Sequence, residues 1–211
     1  VARENDFISL PPAGGKLCET FLIRCKVPSA KRVPWFFGKM CRVSGAPAHR
    51  FADLPGGVRQ LPDVDQIVVP IGGGGLITGI SYAMKHLKPD VRIVGVMPEG
   101  SAVYAASRAA GKLVTLDSCA SIADAVVRKT GEPYLYPYIE EYVDDIVTVS
   151  EDELRKAIKL ACLYAKLTLE GAASLALAAV TSGKCALTEQ TVLLCSGGNI
   201  DGSVLLSCLQ G

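Results

Sequence analysis

The chain lacks an excess of charge of either sign, and it lacks a long uninterrupted apolar run. Its 211 residues include 22 basic and 21 acidic side chains, which leaves a net charge of +1. A charge this balanced gives no electrostatic basis for binding nucleic acid or an anionic membrane surface. The longest uncharged stretch, residues 66–84, is interrupted by Pro70 and a run of four glycines, which argues against a membrane span. We therefore expect neither nucleic acid nor a membrane as a partner.

Residues that ligate zinc are also scarce. The sequence has two histidines, His49 and His86, and none of its eight cysteines forms a C-x-x-C pair. This pattern argues against a zinc site. Some cysteines lie within apolar runs, as Cys195 does after residues 192–194, which is typical of buried free thiols. The cysteines therefore predict a reducing compartment, and we expect a cytoplasmic protein.

A regular pattern of secondary structure begins only after about residue 60. Residues 1–60 mix glycine, proline, arginine and cysteine without a clear period, and a strand is indicated only around residues 21–25. Beyond them, strands are predicted at 66–71, 91–96, 145–149 and 191–195, and helices at 76–87, 101–110, 121–129, 151–165 and 170–180. Ser150 and Glu153 have the spacing of a capping box. The alternation predicts an irregular region at 1–60 and, at 61–211, an α/β domain with an open, mostly parallel sheet flanked by helices.

Four consecutive glycines, Gly72, Gly73, Gly74 and Gly75, lie between a predicted strand and a predicted helix. Glycine loses more freedom on ordering than any other residue, so such a run indicates a tight turn or a close approach of the backbone to a ligand. At a helix start, successive N–H groups face one concavity and the helix dipole adds partial positive charge, which suits a phosphate dianion. The alternative is a flexible surface turn.

The glycine run matches neither of the common nucleotide motifs. No lysine follows it, as the nucleotide P-loop requires, and Ile77 and Thr78 stand where the dinucleotide fingerprint needs glycine. The loop therefore indicates a phosphate that belongs to another kind of ligand.

The segment 65–79 resembles the phosphate-binding segment of fold-type II pyridoxal-phosphate enzymes, above all threonine/serine dehydratases, with serine racemases next. Five further segments agree in the same order, at 96–101, 122–124, 143–150, 169–172 and 194–201. The resemblance extends over about residues 60–205. It implies the tryptophan-synthase-β-like large domain of that family, with the family's small domain abbreviated or missing, since the interval before the glycines is short.

The resemblance implies a role for several residues. The backbone amides of Gly72 to Gly75, with Leu76, would bind the phosphate of pyridoxal phosphate, and Ser196 would lie beside the pyridine nitrogen. Two interpretations of Glu170 stay open, a position near the cofactor and a carboxylate at a helix start. The glutamate and aspartate that hold a divalent cation in some relatives are replaced by Met97 and Val103, so we expect no metal site.

The sequence departs from the family at its catalytic lysine. The lysine motif of the family, Ser-Phe-Lys-x-Arg-Gly, corresponds most closely to residues 20–25, and the lysine position is Leu22. The asparagine of the next family motif is also missing from the closest stretch, residues 44–49. Leucine cannot bond to the cofactor or move a proton, and the other lysines nearby (Lys16, Lys26 and Lys39) are most simply solvated surface side chains. The sequence therefore identifies no catalytic residue.

Three functions follow from this combination. The first is a pyridoxal-phosphate-dependent threonine/serine dehydratase, an ammonia-lyase that releases a 2-oxo acid and ammonia from a small amino acid. The second is a catalytically inactive or truncated relative that acts as a cofactor-binding or subunit-interaction module. A serine racemase is the third, and the missing metal carboxylates argue against its metal-assisted form. The resemblance also implies assembly as a homo-oligomer.

Overall fold

The computed structural model of the chain describes the backbone of residues 7–9, 21–27 and 31–35, and all atoms of residues 63–188 and 190–211. The first group contains three strands, β1 (Phe7–Ser9), β2 (Phe21–Val27) and β3 (Lys31–Trp35). They form an antiparallel sheet in the order β1-β2-β3. The strand expected around residue 21 is thus confirmed, whereas β1 and β3 lie in a region that the sequence analysis expected to be irregular. The domain boundary near residue 60 stays a prediction.

A second sheet is built from four parallel strands. They are β4 (Gln66–Pro70), β5 (Arg92–Pro98), β6 (Asp145–Val149) and β7 (Thr191–Leu193), in the order β6-β5-β4-β7. Val68 of β4 pairs with Val94 of β5 on one side and with Leu193 of β7 on the other. This sheet confirms the predicted α/β architecture.

Six α-helices connect and flank the parallel strands in the described residues. They are α1 (Gly75–Leu87), α2 (Val103–Ala110), α3 (Tyr136–Tyr142), α4 (Glu151–Leu160), α5 (Gly171–Thr181) and α6 (Gly202–Gln210). A π-helical turn, Ala161–Ala165, prolongs α4 to the residue at which the sequence predicts its end. The capping box at the start of α4 is present, because Ser150 accepts from the Glu153 amide and the Glu153 side chain accepts from the Ser150 amide.

Successive residues of a strand point to opposite sides of a sheet, and consecutive residues of β4, β5 and β7 are buried, so these three strands are covered on both faces. Val68 belongs to a core that includes α4 and the alanine-rich helix α5, of which residues 171–179 are all buried. Ile67 and Val69 belong to a second core with α1, α2 and α3. Burial on both sides explains why the strands are read as continuous apolar runs.

One predicted helix is wrong. Residues 121–129 form only a single 3-10 turn, Asp124–Val126. The Ser121 hydroxyl accepts from the Ala123 amide and the Asp124 carboxylate from the Ala125 amide, while Glu151 of α4 accepts from the Ile122 amide at 3.0 Å. Side-chain hydrogen bonds to the backbone thus replace the helical ladder.

Two helices were not predicted from the sequence. In α3, tyrosines and a proline obscure the helical period, although proline is accepted in the first turn. In α6, Asp201 caps the helix by accepting from the Ser203 amide at 2.7 Å. That aspartate was the available signal for a helix start.

Candidate functional site

Two neighbouring strands, β4 and β7, mark the point at which the chain reverses its direction of travel across the parallel sheet. From β4 the chain moves outward through β5 to β6, and it then returns to the other side of β4 as β7. In open α/β sheets, ligands bind beyond the carboxyl ends of the strands at such a switch point. The glycines 72–75 follow β4, and residues 196–199 follow β7. The topology therefore brings both sequence-predicted segments to one edge of the sheet.

The glycine loop, Gly72–Gly75, connects β4 to the first turn of α1. Gly74 precedes the helix in a left-handed conformation with φ of 91°. Its carbonyl accepts the first helical hydrogen bond, from the Thr78 amide at 3.0 Å. The first amides of a helix have no partner within it, and no side chain caps this helix start. The absence of an acidic residue from the first turn leaves the positive end of the dipole available to an anion.

A buried tyrosine from α2 holds the glycine loop from the protein interior. The Tyr104 hydroxyl donates to the Gly73 carbonyl at 2.9 Å and accepts from the Glu132 amide at 2.8 Å. A Cβ on Gly74 would lie 2.7 Å from this hydroxyl oxygen, so the position requires glycine for space as well as for φ. Burial raises the pKa of Tyr104 above its usual 10.0, so the phenol keeps the proton that it donates to the Gly73 carbonyl.

The segment Ile122–Arg128 runs from the glycine loop to the start of α5. Its Val126 packs against the loop, with its Cα 3.0 Å from where a Cβ on Gly72 would stand. At the other end of the segment, the Ile122 carbonyl lies 2.5 Å from where a Cβ on Gly171 would stand, at the start of α5. The Nε of the exposed Arg128 lies 4.0 Å from where a Cβ on Gly73 would stand.

Glu170 stands immediately before α5 and packs against the loop that follows β7. Its amide donates to the Gly197 carbonyl at 3.1 Å, and its carboxylate accepts from the Asn199 amide at 3.2 Å. Its carboxyl carbon lies 2.5 Å from where a Cβ on Gly197 would stand. Burial raises the pKa of Glu170 above its usual 4.5, the Asn199 amide opposes this, and the charge of Asp124 adds to it. The position at a helix start is confirmed, although the carboxylate does not cap the helix.

Ser196 follows Leu194 and Cys195, the two buried residues after β7, and it is partly buried. The Ser196 side chain makes no hydrogen bond within the fully described residues 63–188 and 190–211. It therefore retains one donor and two acceptor positions for a ligand or for water. Its assignment to the pyridine nitrogen stays a prediction.

The residues present fit a phosphate group. Four glycines and an uncapped helix start form the cradle. A Cβ on Gly74 would be blocked by Tyr104, while the space beside Gly75 is open, with nothing within 4 Å of its Cβ position. One turn into α1, the Thr78 hydroxyl oxygen is buried without a hydrogen-bond partner in the described structure. An unpartnered buried hydroxyl is costly, so this region has unused hydrogen-bonding capacity.

Sequence reasoning found the glycine loop but missed the residues that support it. Tyr104, Val126 and Arg128 lie 30 to 55 positions along the chain from the glycines that they approach, and no local motif marks them. The clearest signal was a single large aromatic residue in α2, which otherwise consists mainly of small residues. Leu22, which the resemblance assigns to the lysine position, lies in β2 and pairs with Ile8 of β1; that assignment stays a prediction. The stretch 44–49 lies outside the described residues.

Two further sequence expectations concern metals and membranes. The described residues contain no group of three or more histidine, cysteine, aspartate or glutamate side chains that could hold a metal ion. Among the described helices, none has the length and apolar character needed to cross a membrane.

The family model and the relatives that match this chain point to the same class of enzyme. The family model of pyridoxal-phosphate dependent enzymes matches residues 53–197. The L-threonine dehydratase catabolic TdcB of Escherichia coli (strain K12) is 42% identical over 147 residues, which cover 68% of this chain and 45% of the relative. Serine racemase of Arabidopsis thaliana is 37% identical over 150 residues, covering 68% of this chain and 45% of the relative.

A solved structure is similar over a comparable share of the chain. The processed form of threonine deaminase isoform 2 from Solanum lycopersicum has a TM-score of 0.68 and 31% identity, over 72% of this chain and 46% of that one. The chain thus spans somewhat less than half the length of these relatives. Since the family model covers well over half of the chain, the protein belongs to the family of pyridoxal-phosphate dependent enzymes.

Proposed function

We propose that the chain provides the cofactor-binding part of a pyridoxal-phosphate-dependent threonine/serine ammonia-lyase. The observation that carries the proposal is the uncapped glycine loop at the switch point between β4 and β7, fixed by Tyr104. The similarity to an L-threonine dehydratase and to a threonine deaminase supports the reaction class. The substrate would be a small hydroxy amino acid, and the products a 2-oxo acid and ammonia.

The residues around the switch point suggest how the cofactor would be held. The amides of the glycine loop and of Leu76 would donate to its phosphate, where the dipole of α1 favours negative charge. The Ser196 hydroxyl would face the pyridine nitrogen, and a neutral partner there leaves that nitrogen largely unprotonated. When bound, pyridoxal phosphate supplies an electron sink for bond breaking at the α-carbon of an amino acid. Glu170 would border the site without contributing to the phosphate contacts.

Leu22 favours a second candidate function, a non-catalytic cofactor-binding or subunit-interaction module. The lyase reaction needs an amine that bonds to the cofactor and moves the α-proton, and leucine has neither ability. Lys26 lies in the same strand, β2, four residues further on. At about 3.3 Å per residue it is roughly 13 Å away along the strand, too far to replace a side chain at position 22.

The two functions are separated by an experiment on the purified chain with three readouts. Equilibrium dialysis measures the affinity for pyridoxal phosphate and for pyridoxine phosphate, which lacks the aldehyde. Borohydride treatment followed by peptide mass spectrometry identifies any lysine that bonds to the cofactor. Release of a 2-oxo acid from L-threonine and L-serine measures the lyase reaction.

Each outcome selects one function. Binding of both phosphorylated compounds, one modified lysine and 2-oxo acid release would support the lyase. Binding of both compounds without lysine modification or product would leave the non-catalytic module. Failure to bind either phosphorylated compound would overturn the assignment of the glycine loop and both functions with it. A product of inverted configuration from L-serine, in place of the 2-oxo acid, would point to the racemase.

A further inference from the structure

Arg128 is the one basic residue in the described segments that form the site. These segments comprise the glycine loop with Leu76, and residues 122–128, 168–171 and 196–199. The same segments carry two carboxylates, those of Asp124 and Glu170. A helix dipole supplies only about half a positive charge. A phosphate dianion at this edge of the sheet therefore benefits from a side-chain cation.

The backbone of Arg128 is fixed next to the glycine loop by a buried serine. The Ser101 hydroxyl accepts from the Arg128 amide at 2.8 Å and donates to the Arg128 carbonyl at 3.0 Å. Ser101 itself is fully buried. From this anchored position the arginine Nε reaches to 4.0 Å from where a Cβ on Gly73 would stand. The guanidinium is thus held beside the loop whose amides are proposed to bind phosphate.

The charge of Arg128 is not used elsewhere in the described structure. It forms no ion pair with a described residue, and its Nη1 donates only to the adjacent Val127 carbonyl, at 3.0 Å. The neighbouring Lys129 points to a different partner, the Asp117 carbonyl, at 2.9 Å. A guanidinium has five N–H donors in a planar fork, which matches phosphate oxygens better than an ammonium does.

We propose that Arg128 binds the cofactor's phosphate at the glycine loop and makes the site prefer phosphorylated over unphosphorylated pyridoxal compounds. The inference rests on the proposed function, because it takes the glycine loop as the phosphate site. It adds a side-chain ligand to a site that the sequence analysis assigned to backbone amides. Arg128 acts on binding and takes no part in proton transfer.

The test compares pyridoxine phosphate with pyridoxine, neither of which can bond to a lysine. Affinities are measured by equilibrium dialysis for the unsubstituted chain, Arg128→Gln, Arg128→Lys and the matched control Lys129→Gln, with circular dichroism as the check on folding. We expect Arg128→Gln to weaken pyridoxine phosphate binding about tenfold, the size of one lost charge-assisted contact. Arg128→Lys should lose less, and Lys129→Gln should stay within about twofold. Pyridoxine binding should be the same in all four proteins.

The outcomes distinguish this inference from the proposed function. If the unsubstituted chain binds pyridoxine phosphate and Arg128→Gln binds it equally well, the role of Arg128 is refuted while the glycine-loop site stands. An equal loss of affinity for pyridoxine and pyridoxine phosphate would also refute it, since that loss would not depend on the phosphate. If the unsubstituted chain does not bind pyridoxine phosphate, the proposed function and this inference both fail.

Discussion

Tyr104 connects three segments that are far apart in the sequence, and it does so with one hydroxyl. The hydroxyl donates to the Gly73 carbonyl and accepts from the Glu132 amide, and its position also excludes a side chain from Gly74. Because the Tyr104 side chain is fully buried, removing its hydroxyl leaves both backbone groups without this partner. The residue therefore controls the shape of the glycine loop without belonging to it.

We predict that Tyr104→Phe lowers the free energy of unfolding by about 1–3 kcal/mol, because the two hydrogen bonds of the Tyr104 hydroxyl are lost, at roughly 0.5–1.5 kcal/mol each. Urea unfolding followed by circular dichroism measures the change as a lower midpoint with an unchanged slope. The control is Tyr134→Phe, since Tyr134 is 84% exposed and should change stability by less than about 0.5 kcal/mol. Equal stability of the two variants would show that the Tyr104 hydroxyl does not hold the loop.

Glu170 makes stability depend on pH. Burial and the charge of Asp124 raise its pKa above 4.5, although the Asn199 amide opposes the shift. The folded state then binds more protons than the unfolded state between the two pKa values. The stabilisation that this gives is fully present below the unfolded pKa and is lost as the pH rises through the raised pKa.

We therefore predict that the unfolding free energy of the unsubstituted chain, relative to Glu170→Gln, decreases as the pH rises from below about 4.5 through the raised pKa. Urea titrations of both proteins across this range, without ligand, give the difference. Asp124→Asn should reduce the decrease, because it removes the charge that helps to raise the pKa. A difference that is constant or increases with pH would contradict the assignment.

At the scale of secondary structure elements, α4 is a helix whose start is predicted by residues that are close together in the sequence. Its capping box is complete, with the Glu153 amide 3.3 Å from the Ser150 hydroxyl and the Ser150 amide 2.7 Å from the Glu153 carboxylate. All of these contacts lie within four residues, so the sequence predicts them. The wrongly predicted helix at 121–129 differs because Glu151, which is about 30 residues away, takes the Ile122 amide.

We predict that Ser150→Ala lowers the free energy of unfolding by about 1 kcal/mol, the usual effect of removing an N-cap. Thermal or urea unfolding measures the difference. Ser118→Ala is a matched control because Ser118 lies in an exposed loop, and its substitution should be nearly neutral. A loss no larger than that of the control would mean that the capping box contributes little to α4.

At the scale of the whole molecule, the strand order β6-β5-β4-β7 creates the site. The glycine loop and residues 196–199 are more than 120 positions apart, and they meet because β4 and β7 are neighbours. Segment 122–128 contacts the glycine loop through Val126 at Gly72 and the start of α5 through Ile122 at Gly171, next to Glu170, which packs against residues 196–199. Binding at this edge should therefore stabilise the parallel-sheet domain as a unit.

We predict that pyridoxine phosphate at about 100 times its dissociation constant raises the free energy of unfolding by about 2.7 kcal/mol. Pyridoxine at the same concentration should give a much smaller increase, because it lacks the phosphate. Urea unfolding in the presence of each compound measures the two values. An equal effect of both compounds would indicate that the ligand does not bind through the glycine loop.

The local features of this protein follow from short stretches of its sequence. The β-branched runs of the parallel strands, the capping box of α4 and the conformational freedom of the glycine loop all depend on residues that are close together in the chain. The assignment of Leu22 to the family's lysine position also comes from the sequence alone and stays a prediction.

The residues that support the glycine loop emerge only from the tertiary structure. Tyr104, Val126 and Arg128 reach the glycine loop because the sheet order and the packing of α2 place them there. Apolar periodicity indicates which face of a helix or strand is buried, but it does not indicate which other element covers that face. Contacts between distant residues therefore emerge only once the strands have paired.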